Sequence, residues 1–201
     1  GYGISQKKLY DFGDKKVNYY QNGLNSLINF DFKGDANKSY EEIFSNYDQI
    51  LHADLSGNTV MNYISSHDDG DPFDKERKRN YEAGTKLLLT PGISQVYYGD
   101  ETARKLIVEG AIGDANLRSN MNWDEVKNNP ETQKVLTHWQ KLGQFRRNHA
   151  AVGTGKHQMV SNSPYWFTRT YKDDKVLVGL DLNPGVKEVS VTGIFENGTR
   201  L

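Results

Sequence analysis

The chain has 201 residues, enough to bury a core as one domain or as two small ones. Its 25 Lys and Arg against 26 Asp and Glu leave a formal charge of −1, so no global basic field exists to attract nucleic acid or an anionic membrane. The absence of cysteine excludes a disulfide scaffold and Cys-ligated zinc, and no apolar run reaches the ~18 residues of a membrane-spanning helix.

The first residues, GYGISQKK, carry no initiator Met, no basic leader and no apolar signal core, and read as a cut start. LNSLINFDF (24–32) is rich in β-formers and too short for a helix, which predicts a strand. SYEEIFSNYDQILHA (39–53) then places Tyr40, Ile43, Phe44, Tyr47, Ile50 and Leu51 on one face at helical spacing. Ser39 and Glu42 form a capping-box signature at its start. TVMNYIS (59–65) predicts a second strand, and a helix is expected from about Asp74, as N-cap, to the Thr90-Pro91-Gly92 stop. ISQVYYG (93–99) predicts a third strand. After an irregular stretch over about 100–129, Pro130 suits a first helical turn, with Val135, Leu136, Trp139 and Leu142 as the buried stripe.

Strands starting near 24, 59 and 93 with helices between them fit consecutive parallel βα units, since a parallel neighbour needs a crossover of about a dozen residues or more. Near-continuous apolarity in the strands agrees with a sheet covered on both faces. After residue 153 the character changes. GKHQMV, YWFTRTY, KVLVGLDL and KEVSVTG alternate partially and are divided by turn chemistry, which predicts an antiparallel β unit. The small residues of VGTG (152–155) mark the expected boundary, giving domains at 1–153 and 154–201.

MNYISSHDDGD (61–71) begins as a buried strand and ends in one His and three acids. Functional groups of parallel βα folds collect at the carboxyl ends of the strands, which makes His67 and Asp68, with Asp69 beside them, candidates for a polar site. The residues alone also admit an ordinary strand exit into a solvated turn. DDGD lacks the alternating spacing of an EF-hand, so no metal site is read there. Asp69 reads as an exposed loop acid. Tyr97 and Tyr98 could stack on a ligand as aromatic platforms but read first as core, and Trp123 and Trp166 share that ambiguity. Asn37 and Asn197 head short glycosylation sequons.

The order of these motifs adds to the reading. NYISSHDD resembles the seventh-strand segment of the α-amylase family of glycoside hydrolases (family 13), and LLLTPGISQVYYGDE resembles its eighth-strand segment. LRSNMNW is similar to the family's later Arg-x-Pro-Met-x-Trp stretch, HWQKLGQFRRNHAAV to its final barrel helix, and LNSLINFDF to its sixth strand. Ser66 stands where the family usually has Asn, and Gln95 where it usually has Pro.

The resemblance implies an α/β fold: strands six to eight of a (β/α)8 TIM barrel with their helices, followed by a small antiparallel β domain. It implies an α-glucan-active hydrolase acting on starch or maltooligosaccharides, with Asp68 as transition-state stabiliser and His67 binding sugar hydroxyls. The family's nucleophilic Asp and acid/base Glu belong to the fourth and fifth strands, upstream of this chain, so the chain alone is expected to be inactive. A non-catalytic carbohydrate-binding scaffold is the alternative. No cofactor is expected in this chain, calcium is possible in the full-length enzyme, and family analogy favours a secreted or periplasmic location. Three parallel strands without the rest of their barrel leave an edge and an apolar face open, so self-association or pairing with the missing half is expected.

Overall fold

In the computed structural model, which describes residues 9–200, the chain opens with a minimal antiparallel pair, β1 (Tyr10–Asp11) and β2 (Lys16–Val17). Three parallel strands follow in the order β3 (Ser26–Asn29), β4 (Thr59–Asn62) and β5 (Ile93–Ser94). Their register sets Ile28, Met61 and Ile93 in one row across the sheet, and Leu27, Asn29, Val60, Asn62 and Ser94 on the opposite face. The second face is the buried one. There Asn29 donates to Tyr47 Oη at 2.7 Å and to Asn62 Oδ1 at 2.9 Å, and Asn62 donates to the Pro91 carbonyl at 3.1 Å. Both amides are thereby satisfied inside an apolar layer. The first face is open, with Ile28 and Ile93 respectively 45% and 43% exposed.

Helices α1 (Phe32–Asp35) and α2 (Tyr40–Gln49) carry the chain from β3 to β4. The capping box forms as read: Ser39 Oγ accepts the Glu42 N–H, and the Glu42 carboxylate accepts the Ser39 N–H. Ile43, Phe44, Tyr47 and Ile50 are buried, as the helical spacing requires. Beyond Gln49 the chain widens into a π-helical turn over Ile50–Asp54.

The next helix, α3 (Asn80–Leu89), starts later than expected. Asp74 does accept backbone N–H groups, from Lys78 at 2.9 Å and Arg79 at 2.8 Å, but it caps a loop. Arg77 inside that loop has φ +56°, which interrupts any helical path. The expected third strand is also shorter, because Tyr97 and Tyr98 leave the sheet. Their hydroxyls donate to the Leu117 and Ser119 carbonyls at 3.0 and 2.9 Å, so neither is a core residue.

α4 (Trp123–Asn128) leaves Trp123 exposed, and α5 (Pro130–Asn148) is capped by Asn129, whose Oδ1 accepts the Glu131 and Thr132 N–H groups. Val135 and Trp139 are buried, and Leu136 and Leu142 half-buried. Trp139 reaches α3 at Gly84, where a Cβ would lie 2.8 Å from the indole, so only glycine admits this approach.

VGTG is not an open linker: α6 (Ala150–Thr154) includes most of it, with Ala151 and Val152 buried. It feeds an antiparallel meander of β6 (Lys156–Asn162), β7 (Tyr165–Tyr171) and β8 (Asp174–Leu180). Trp166 is half-buried on β7. The fourth run, KEVSVTG, is not a strand. Pro184 offers no N–H, Gly185 turns the chain at φ +112°, and Val186 emerges into solvent. Phe44 of α2 packs on Phe167 of β7 with ring centroids 5.1 Å apart, which joins the meander to the helical layer. At the same seam, buried Arg169 donates from Nη1 to the Leu89 and Val152 carbonyls. Arg146 donates to the carbonyls of Leu88, Thr90 and Gly92. Two guanidiniums thus satisfy the last carbonyls of α3, where the helix dipole favours positive charge.

Candidate functional site

β4 ends at Asn62, and the chain stays buried through Tyr63, Ile64 and Ser65 before surfacing. His67 and Asp68 follow immediately. Their side chains are 65% and 57% exposed, and His67 Nε2 lies 3.5 Å from Asp68 Oδ2. Ser66 Oγ donates to Asp68 Oδ1 at 3.2 Å, so the residue that departs from the family's Asn still supports the candidate carboxylate. Arg118, from the excursion after β5, donates through Nε to the His67 carbonyl at 2.9 Å.

Asp69 differs from the exposed loop acid expected. Its side chain is only 16% exposed and is ion-paired with Lys33, while Tyr63 Oη donates to Asp69 Oδ2 at 3.0 Å. Burial opposes its ionisation, yet the hydrogen bonds from Lys33 and Tyr63 outweigh that cost and hold the carboxyl below its usual pKa. Burial and the adjacent Asp69 push the Tyr63 phenol up in turn. Asp69 is therefore a tie between helix α1 and the loop after β4, and is spent on that contact.

A third acid escaped the reading of the residues. Asp100, in the loop after β5, has a fully buried side chain; its Oδ1 accepts Ser65 Oγ at 2.6 Å and Arg77 Nη2 at 2.8 Å. It lies in the YYGDE stretch of the eighth-strand resemblance, but nothing local assigned it a role. Asp69 has Lys33 and Asp100 has Arg77, while Asp68, like the exposed Asp31 and Asp71 nearby, has no Lys or Arg partner among the described residues. A carboxylate left exposed and uncompensated keeps its negative charge available to a ligand.

Among the described residues no group of three or more His, Asp or Glu is arranged to hold a metal ion, and no helix is long and apolar enough to cross a membrane. A cavity of 480 Å³ lined by Leu51, His52, Thr59, Ile93 and Tyr171 lies toward the amino ends of β4 and β5, away from Asp68.

Over 170 residues the chain is 35% identical to the periplasmic alpha-amylase of Escherichia coli (strain K12). The chain is an α-amylase relative. That alignment covers 83% of this chain and 24% of the periplasmic enzyme, so the chain spans about a quarter of that protein's length. No family model matches this α-amylase relative. Solved structures resemble it in fold: AmyP in complex with maltose has a TM-score of 0.57 at 17% identity, covering 77% of this chain and 39% of that one. The alpha-amylase from H. orenii has a TM-score of 0.55 at 20% identity, covering 80% and 40%.

Proposed function

We propose that this chain is the C-terminal part of a retaining α-glucan-active glycoside hydrolase. In this reading residues 1–153 supply strands six to eight of a (β/α)8 barrel and 154–201 supply the β domain. The observation that carries it is Asp68: an exposed carboxylate without a cationic partner, past the end of a parallel strand, in a chain related to an α-amylase.

Asp68 acts as the transition-state stabiliser and His67 as a ligand to sugar hydroxyls. Retaining hydrolysis passes through an oxocarbenium-like state, so a fixed negative charge and hydrogen bonds that tighten on the distorted ring lower the barrier. The double displacement also needs a nucleophile and an acid/base residue, which we assign to the part of the enzyme preceding this chain. The chain alone is accordingly inactive. AmyP in complex with maltose supports an oligosaccharide substrate, and the periplasmic relative supports an exported location. The open row of Ile28, Met61 and Ile93 supports a chain that either self-associates or docks against the rest of its barrel. A monodisperse monomer by light scattering at micromolar concentration would contradict that pairing.

The test of the catalytic role is Asp68→Asn in the full-length protein, assayed on maltooligosaccharides. Loss of one preorganised partner costs about 3 kcal/mol or more, so kcat is expected to fall by about two decades or more. Wild-type turnover in that variant would refute the role. Ser66 and Gln95, which depart from the family pattern, leave room for a second reading as a carbohydrate-binding scaffold without catalysis. Sugar binding without turnover by the wild-type full-length protein would select it.

A further inference from the structure

A circuit of polar contacts leaves the chain at Ser65 and returns to it at His67. Ser65 Oγ donates to Asp100 Oδ1 at 2.6 Å, and Arg77 Nη2 donates to the same oxygen at 2.8 Å. Arg77 Nε continues to the Arg104 carbonyl at 2.7 Å. Buried Arg104, seated 3.9 Å over the Tyr98 ring, donates from Nη1 to the Ser119 carbonyl and from Nη2 to the Leu117 carbonyl, each at 3.2 Å. Between those residues stands Arg118, which donates to the His67 carbonyl. The circuit therefore grips the backbone on both sides of Ser66, immediately before Asp68.

Two features of the circuit are costly for the fold alone. Asp100 is fully buried and its Oδ2 has no hydrogen-bond partner among the described residues, and such a carboxylate gives weak support to stability. Arg77 holds a left-handed φ of +56°, a conformation a non-glycine residue keeps when its surroundings fix it and one that gathers at functional sites. We infer that Asp100 is a positioning residue: its buried carboxylate, through Ser65 and Arg77, fixes the loop that carries His67 and Asp68. Asp100 itself is shielded from any ligand, so it acts through Ser65 and not by contact. The inference deepens the proposed role of Asp68 and rests on it for its catalytic consequence, while the mechanical part stands on the contacts alone.

The experiment compares Ser65→Ala, Ser65→Thr and Asp100→Asn in the full-length protein, reading kcat and KM on maltooligosaccharides per folded molecule. Hydrogen exchange at residues 65–69 is read in parallel. Misplacement of a reacting group by about 1 Å costs up to about a hundredfold, so Ser65→Ala and Asp100→Asn are expected to lower kcat about ten- to a hundredfold. KM should stay within about threefold, exchange at 65–69 should rise, and Ser65→Thr, which keeps the hydroxyl, should restore both. Should Asp100→Asn fail to fold, the Ser65 pair still decides. Unchanged kcat and unchanged exchange in Ser65→Ala would overturn the inference. If the wild-type protein turns over no maltooligosaccharide, the proposed function fails and exchange alone judges the positioning.

Discussion

The parallel sheet and the C-terminal meander satisfy their backbones to different degrees. β7 is paired along its whole length, to β6 on one side and β8 on the other, whereas β3 meets β4 over four residues and β4 meets β5 over two. Hairpins find their partners within a few residues of chain, but parallel strands depend on crossovers and on further strands. Charge follows the same division. Along the meander's seam Arg169, Arg146 and His157 are held by carbonyls and by Glu41, while the parallel edge turns His67 and Asp68 outward. The fully paired region is the more tightly satisfied, and the sparsely paired one leaves His67 and Asp68 exposed.

Breaking the fully paired region should have the largest effect on stability. Arg169→Met strands the Leu89 and Val152 carbonyls in an apolar seam, and a loss of about 3 kcal/mol is expected from urea unfolding. Outside that seam, in the loop after β5, Gly99→Ala should follow at about 2 kcal/mol, because Gly99 sits at φ +86° and its Cβ would lie 2.5 Å from Arg104. Unfolding that leaves either midpoint unchanged would mean these contacts do not form.

Acid should reach the same seam through His157. Burial disfavours its charged form and holds the imidazole below its usual pKa despite the hydrogen bond to Glu41 at 2.9 Å, with Asp48 and Arg169 also facing it. The folded state therefore binds fewer protons than the unfolded one. Its contribution is complete above the ordinary histidine value of about 6.5 and is lost as pH falls below it. His138, also depressed by burial, acts in the same direction. His157→Gln should flatten, but not abolish, the drop in urea midpoint between pH 7.5 and 5.5. At the edge of α2, Ser39→Ala removes one member of the capping box and should cost about 1 kcal/mol, read from the same denaturation curves.

The elements legible in the sequence were those whose causes are local. α2 was readable because its stripe and its capping box lie within one run, and the parallel succession because three apolar runs recur with helices between them. Interactions distant in sequence hid the rest. α3 begins late because Arg77 is drawn to Asp100, and β5 stops early because Gly99 lets Arg104 fold under Tyr98. Asp69 looked like a solvated acid since nothing nearby in sequence announces Lys33 as its partner. At the candidate site, the position of His67 and Asp68 past a strand end was readable from the residues, but a catalytic role came only with the family resemblance. The contacts among Ser65, Arg77 and Asp100 were not legible, being made between the β4–α3 connection and the loop after β5.

The smallest expected effect sharpens the comparison most. Asp68→Asn should change the urea midpoint of the protein by no more than the equivalent of about 0.5 kcal/mol, the range of a surface substitution. The side chain is more than half exposed, makes one hydrogen bond to Ser66 through Oδ1, and lies 3.5 Å from the exposed imidazole of His67. An amide oxygen can still accept from Ser66, so little in the fold registers the loss of charge. If turnover falls by the proposed two decades or more while the fold is untouched, the residue is placed for its charge. If Asp68→Asn instead destabilised the protein as much as Arg169→Met, the carboxylate would be a structural tie like Asp69, and the open edge would lose its distinction from the seam.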